Sequence, residues 1–349
     1  MAMMILGAGC ITPIGLGLAE TAAAARARVA RLREISLNDR RGEPVVAGSV
    51  PDDALPPLAD PLQDLPLQSR EARMLRLAHV ALAEALETLP ADTAPLPLLL
   101  GLPEHHALRA IEPAAFLRHL LLQSGAAIDL SRSVAVARGR AAGLMALRQA
   151  AMFIEAGQTD HVLVGGVDSL LDPYVLDTFD LQGRLRSESN GEGFRPGEGA
   201  AFLLLGKADG KRDGAALARI EGAGMAVEAG HLYAEAPYLG EGLAAAVTGL
   251  FGEQPPPSPI ACTYSSFNGE RYWAREFGVA RIRNAAHFSD AMQLEHPAEC
   301  CGDLGAAHGP LLAALAAHGL AGGYRPGPCL VYASSDHGDR AAALLTRAG

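Results

Sequence analysis

Side chains able to do chemistry are scattered through this sequence, and few of them stand in a recognisable pattern. Ser335-Asp336-His337 offers the residue types of a nucleophile–base relay. Three consecutive loop residues do not normally reach that geometry, and no GxSxG turn is present to lift a serine. Cys262 lies in an apolar run, 260–264, that reads as a buried strand, where a free cysteine is read as a small core hydrophobe before a nucleophile. His296, Glu299, Cys300, Asp303 and His308 put metal-ligand types into one stretch. Zinc prefers spaced cysteines and a second matching cluster, so packing and capping are expected there and no metal. Asn268-Gly269-Glu270 precedes a helical pattern and reads either as an N-cap with an acidic first turn or as pocket lining. His105-His106 read as surface polar residues, and Glu198, between Gly197 and Gly199, as a group that satisfies backbone donors at a turn.

The elements that must position these residues alternate between strand and helix. Apolar strands are predicted at 3–7, 98–102, 133–137, 161–167, 200–205, 216–220, 260–264, 281–285, 329–334 and 341–345. Helical spacing marks 17–30, 73–89, 113–123, 140–156, 242–251, 269–277 and 308–318. The 140–156 helix is apolar nearly all round, which places it inside a protein. Strands apolar on both faces require helices on each side of the sheet. Segment 50–68, with five prolines, reads as loop, and 253–259 as a break. Five strands per half in similar order suggest an internally duplicated α/β protein, with halves at 1–206 and 207–349.

Composition narrows the function classes. A chain of 349 residues that is 49% hydrophobic and 19% charged is not a disordered one. With 29 Lys+Arg against 39 Asp+Glu the net charge is −10, which argues against nucleic acid as the main partner. No apolar run approaches the roughly 20 residues that span a bilayer. The first ten residues lack the charged start of a signal peptide. The five cysteines, Cys10, Cys262, Cys300, Cys301 and Cys329, include no CxxC pair, so neither a disulfide framework nor structural zinc is indicated. The cytoplasm is the expected compartment. Arg26, Arg28, Arg31 and Arg33 crowd the end of the first helix, where cations suit its dipole.

Four segments together resemble the ketosynthase branch of the thiolase superfamily: 7–15 (GAGCITPIG), 155–169 (EAGQTDHVLVGGVDS), 193–205 (GFRPGEGAAFLLL) and 302–309 (GDLGAAHG). The resemblance implies a five-layer α-β-α-β-α sandwich of two pseudo-twofold halves, and dimers that form edge to edge. It also implies a cysteine at the tip of a buried helix, activated by the helix end, with two imidazoles that stabilise an enolate.

The residues at those places differ. Counting back from Gly165-Gly166, the nucleophile's place falls at Arg140 in 136–143 (VARGRAAG). The strand that offers a His in the family reads 261–269 (ACTYSSFNG), with Ser265 near the vacancy. The last His corresponds to Asp303, and the C-terminal glycine loop reads 334–338 (SSDHG). An arginine at a helix start opposes the dipole by roughly 0.3–1 kcal/mol. Asp303 is therefore expected to pair with Arg140 and fill the vacated pocket, whose further candidate lining is Cys262, Ser265, Ser266, Asn268, Ser335 and His337.

The expectation is a ketosynthase-like protein without the condensing site. It would act as an accessory or partner-binding subunit, like a chain-length factor or a companion of secretion effectors. The alternatives are acyl transfer or hydrolysis on acyl thioesters by Asp303, Ser265, Ser266 or His337, and an acyl-CoA-type ligand sensor. No cofactor is expected. Expected partners are a second copy or a ketosynthase-like or secretion-related chain, with acyl carrier protein or a CoA thioester as further candidates. A net charge of −10 repels an acidic carrier everywhere except at the arginines of 26–41.

Overall fold

The computed structural model describes residues 3–90, 93–105, 110–208, 216–251, 256 and 258–349. His106 and residues 253–255 and 257 of the expected break lie outside them. The strands are β1 (Met3–Ile11), β2 (Arg33–Asn38), β3 (Pro44–Ala47), β4 (Leu98–Leu102), β5 (Val134–Ala137), β6 (His161–Ser169), β7 (Glu198–Lys207), β8 (Ala218–Val227), β9 (Ile260–Ser265), β10 (Phe288–Glu295), β11 (Cys329–Ser334) and β12 (Asp339–Thr346). The helices are α1 (Leu18–Arg26), α2 (Asp60–Gln63), α3 (Ser69–Leu86), α4 (Pro113–Ser124), α5 (Ala142–Glu155), α6 (Pro173–Leu181), α7 (Glu241–Thr248), α8 (Arg271–Arg283), α9 (Ala298–Cys301) and α10 (His308–Ala321).

Ten strands form one hydrogen-bonded ladder in the order β10-β9-β11-β12-β8-β1-β7-β6-β4-β5. Read outward from the β1–β8 seam, the two flanks are the same object. On each, the flank's first strand pairs antiparallel with its fifth, the fifth antiparallel with its fourth, and the fourth, second and third follow in parallel. The seam is short, pairing only Met3–Ile5 with 218–220. An identical strand order and identical senses carry the duplication that residue identity leaves undetected.

Two helices lie between the flanks. The α10 helix packs on β1, β6 and β7 of one flank and on β8, β9, β11 and β12 of the other; α5 packs on β4 and β6 and also on β8 and β12. Outside them, α3 covers β1, β6 and β7, and α7 covers β8 and β12. The result is the expected α-β-α-β-α layering. The α10 sequence is apolar all round because both sheets bury it; Leu311, Leu312, Leu315 and Leu320 are all inaccessible, each contributing about 1.5–3 kcal/mol. The α5 helix differs from its expectation. It buries Leu144, Leu147, Ala151 and Ile154 but leaves Met152 67% exposed, so one apolar face is open.

Close helix crossing places the site. A Cβ on Gly143 would stand 2.3 Å from the Pro310 ring, and one on Gly309 2.6 Å from the Arg140 carbonyl. The starts of α5 and α10 therefore meet backbone to backbone.

Several expected elements moved. Residues 281–283 end α8, and the edge strand is Phe288–Glu295; the alternation of this polar edge was too weak to read. The 50–68 loop holds the single turn α2, with Pro61 in its first turn where a missing N–H costs nothing. The β2–β3 hairpin and α6 went unread, although Asp172-Pro173 is a start signal. The Asp172 carboxylate accepts from the amides of Tyr174 and Val175.

Candidate functional site

Arg140 sits on the 3-10 turn Gly139–Ala141 that opens α5, with its side chain 5% exposed. Its Nε lies 3.0 and 2.9 Å from the two oxygens of Asp303, and its Nη2 also donates to Asp303. Nη1 donates to Asp336 Oδ1 at 2.7 Å. Asp336 receives Arg184 Nη1 at 2.7 Å. Arg184 in turn forms a bidentate pair with Glu270, both contacts 2.8 Å, and donates to the Tyr233 hydroxyl at 2.7 Å. Asn268 Nδ2 bridges the anions, donating to Asp303 at 2.8 Å and Glu270 at 2.9 Å. The Trp273 indole donates to Glu270 at 3.0 Å and presents its ring to the Arg140 guanidinium, 5.6 Å from the centroid. Two guanidiniums thus face three carboxylates.

The network spans the molecule. Arg140 and Arg184 belong to the N-terminal flank; Asp303, Asp336, Asn268 and Glu270 come from loops of the other. Burial disfavours the charges of Arg140, Arg184 and Asp303, and the pairing prevails. The Asp303 carboxyl is held well below the usual carboxylate range because Arg140 and His308 outweigh its desolvation. Desolvation likewise pulls Arg140 down, and Asp303, Asp336 and Glu270 together hold it well above its ordinary value. Such a network stabilises little net, but removing one member strands a buried charge.

The C-terminal loop completes the site. Ser335 Oγ accepts the Ala141 amide at 2.9 Å and donates to the Arg138 carbonyl at 2.6 Å, so a backbone N–H at the α5 start is already used. Glu104 accepts from the amides of Asp336 and His337 and meets His337 Nδ1, each at 2.9 Å. That contact raises the His337 pKa above its usual value against the opposing effect of burial.

The sequence-predicted residues divide. Arg140, Asp303, Asn268 and Ser335 come together, and His337 stands at the rim. Three do not join them. Ser265 turns to the outer layer, donating to the Tyr332 hydroxyl at 2.7 Å. Ser266 accepts the Ser334 amide. Cys262 lies along β9 beside Cys329. Glu270 stands at the N-cap of α8 and Asn268 Oδ1 accepts its amide at 3.1 Å, but its carboxylate makes no side-chain cap because Arg184 and Trp273 claim it, and the expected acidic first turn is absent. His296 approaches Glu299 at 3.6 Å and His308 approaches Asp303 at 3.7 Å, as separate pairs. No metal-binding group of three ligands occurs among the described residues. Glu198 accepts the Val50 amide at 3.0 Å and also pairs with Arg73. The arginines of 26–41 disperse: Arg26 covers the Tyr324 ring, Arg28 approaches Glu299, and Arg40 pairs with Asp180. Sequence reasoning missed Arg184 and Glu104, and it named Asp336 only as a relay residue type, not as pocket lining. Only Asp336 carried a signal, by its place in the 334–338 loop.

With this geometry in hand, relatives are informative. Residues 131–210, which carry β5, Arg140, α5, β6 and β7, match the model of the beta-ketoacyl synthase N-terminal domain. Over those residues the chain is similar to that family. The ishigamide ketosynthase/chain length factor superposes with TM-score 0.75 at 19% identity, over 100% of this chain and 99% of that one. A type II polyketide acyl-carrier protein in complex with its ketosynthase bound to the hexaketide gives TM-score 0.77 at 17% identity, covering 99% and 98%. A ketosynthase in complex with its chain length factor from Xenorhabdus doucetiae gives the same score and identity over 99% and 98%. At these identities the likeness is one of fold. A highly reducing polyketide synthase of Dothideomycetidae sp. (strain 11243) is 40% identical over 90 residues, 24% of this chain and 3% of that protein's length. The ketosynthase-like frame includes no helix long and apolar enough to cross a membrane among the described residues.

Proposed function

We propose that this ketosynthase-like protein does not condense thioesters and serves as a partner-binding subunit, built of halves 1–206 and 207–349. One observation carries the reading. The start of α5, where the resemblance puts a nucleophile, holds Arg140 locked by Asp303 and Asp336. A guanidinium with a pKa this high neither attacks an acyl carbon nor releases a proton at neutral pH.

The surface supports the partner role. The two outer edges of the ladder are equivalent in topology and opposite in chemistry. Edge β10 carries Asp290, Gln293 and Glu295, the charge that discourages strand addition. Edge β5 reads VAVA with Val134 41% exposed, and it borders a groove of about 640 Å³ lined by Val134, Val136, Met145, Met152, Phe153 and Met225. An apolar face continuous with an open strand edge suits a second ketosynthase-like chain that adds its own edge. Structures of ketosynthases with chain length factors supply a precedent for such pairs.

The test is incubation with acyl-CoA and acyl carrier protein thioesters, followed by intact mass and thiol release. No mass gain and no released CoA are expected. Turnover that disappears in Asp303→Ala would instead establish acyl transfer or hydrolysis. A thermal shift with CoA and no turnover would establish a ligand sensor.

A further inference from the structure

The site above leaves five cysteines unused, and two of them are neighbours. Cys329 on β11 is the in-register partner of Cys262 on the parallel strand β9. Adjacent strands lie about 4.7–4.9 Å apart with side chains at paired positions on one face, inside the Cα separation of roughly 4.4–6.8 Å that a disulfide accepts. Both residues are free thiols and fully buried.

Their surroundings differ from those of the other three. The neighbouring Cys329 thiol lowers the Cys262 pKa, the Arg325 charge lowers it further, and burial and Glu295 oppose them; Cys262 and burial raise the Cys329 thiol. Arg325 is held by the Tyr264 hydroxyl at 3.2 Å, Gln293 at 3.0 Å and Glu295 at 2.7 Å. By contrast Cys10 is pushed up to about 12, and burial also raises Cys300 and Cys301. Neither thiol lines the surface cavity that lies against the turn preceding Cys329. This cavity of about 630 Å³ is lined by Tyr324, Arg325, Pro326, Gly327 and Pro328, the turn that runs directly into Cys329. The Cys329 thiol lies 3.4 Å from the Pro326 carbonyl in that turn.

We propose that Cys262 and Cys329 are a dithiol modification site, oxidised by a small hydroperoxide entering beneath the 324–328 turn, with Cys262 attacking and Cys329 resolving. The Cys262 thiolate attacks one peroxide oxygen. The O–O bond breaks, the departing hydroxide (alkoxide for an organic hydroperoxide) takes a proton and leaves as water (or alcohol), and the sulfur becomes a sulfenic acid. The Cys329 sulfur then attacks that sulfur. An S–S bond forms, the S–O bond breaks, and the hydroxyl leaves as water with the Cys329 proton. Two thiols lose two electrons and one peroxide gains them.

The experiment titrates the folded full-length chain with hydrogen peroxide, alkylates it in denaturant and maps its peptides without reduction. The expected first product is one cross-linked species that joins the Cys262 and Cys329 peptides and is lighter by two hydrogens, while Cys10, Cys300 and Cys301 remain alkylatable. In Cys329→Ser the reaction is expected to stop at Cys262, where dimedone adds. In Cys262→Ser the thiol of Cys329 is expected to survive. Oxidation falling first on another cysteine, or a Cys262–Cys329 pair untouched until the chain unfolds, overturns the proposal.

Discussion

Arg140 and Asp303 lie 163 positions apart in sequence, yet the guanidinium Nε of one stands within about 3 Å of both carboxylate oxygens of the other. The side chains are 5% and 0% exposed. The pair joins the starts of the two inner helices, so it ties one flank of the molecule to the other where those helices cross closely.

Removing either partner therefore strands a buried charge. Asp303→Ala is expected to cost about 3–5 kcal/mol, the range for breaking a buried pair. Arg140→Met is expected to cost as much, since it takes the guanidinium from both Asp303 and Asp336. In the double variant the penalties should fall short of additive. Urea unfolding of the four proteins measures the coupling, and strict additivity would deny the pair any energetic reality.

The same pair fixes an acid limit. The folded pKa of Asp303 is depressed, so in the window below the unfolded value the unfolded chain binds the extra proton. Its stabilisation is complete above about pH 4, near the ordinary carboxylate value, and is lost as pH falls through the folded pKa. The stability gap between the parent and Asp303→Asn should be constant from pH 7 to about 5 and close at lower pH. Thermal unfolding across that range reads the gap directly.

His337 works in the opposite direction. Glu104 raises its folded pKa above the usual 6.5, so the contribution is full below that value and fades as pH rises through the folded one. With its side chain 48% exposed, solvent screens the contact and the effect is modest. Stability should decline slightly above about pH 6.5 in the parent, and His337→Asn should flatten that decline.

Much of this architecture was legible because the inner strands and α10 are apolar enough to reveal themselves without partners. The Leu98–Leu102 and Cys329–Ser334 strands match their sequence reading to the residue. The Phe288–Glu295 edge was hidden for the reverse reason: half solvated and carrying acidic residues, it lacks the signature of the strands it extends. At the site, Arg140 and Asp303 were legible because they stand at positions where the family resemblance leads the reader to look. Arg184 and Glu104 were not, because their roles arise only when distant loops converge. Asn268 and Glu270 read as well for a helix cap as for a pocket, and only the arrival of Arg184 draws the Glu270 carboxylate to the pocket.

Gly139 supplies a backbone test. It adopts φ +63°, and a Cβ would lie 2.5 Å from Glu104 Oε2. Gly139→Ala therefore imposes a left-handed conformation on an L residue and also displaces the carboxylate that holds the Asp336 and His337 amides. A loss of about 1–3 kcal/mol is expected. Glu104→Ala should abolish part of the added penalty in a double variant, since the clash is with that side chain.

Returning a thiol to the α5 tip should not restore chemistry. In Arg140→Cys the new sulfur would stand among Asp303, Asp336 and, behind them, Glu270, with the compensating guanidinium gone. Three carboxylates oppose the thiolate more strongly than a helix start, about 0.3–1 kcal/mol, favours it. The Ala141 amide, which sits beside the thiol, is already taken by Ser335 Oγ at 2.9 Å, leaving that donor unavailable to an acyl oxyanion. The variant is expected to fold less stably and to gain no acyl group from acyl-CoA by intact mass. Acylation of Arg140→Cys alone would mean that the charged loops move aside readily, and that the network is a cover over a working site and not its replacement.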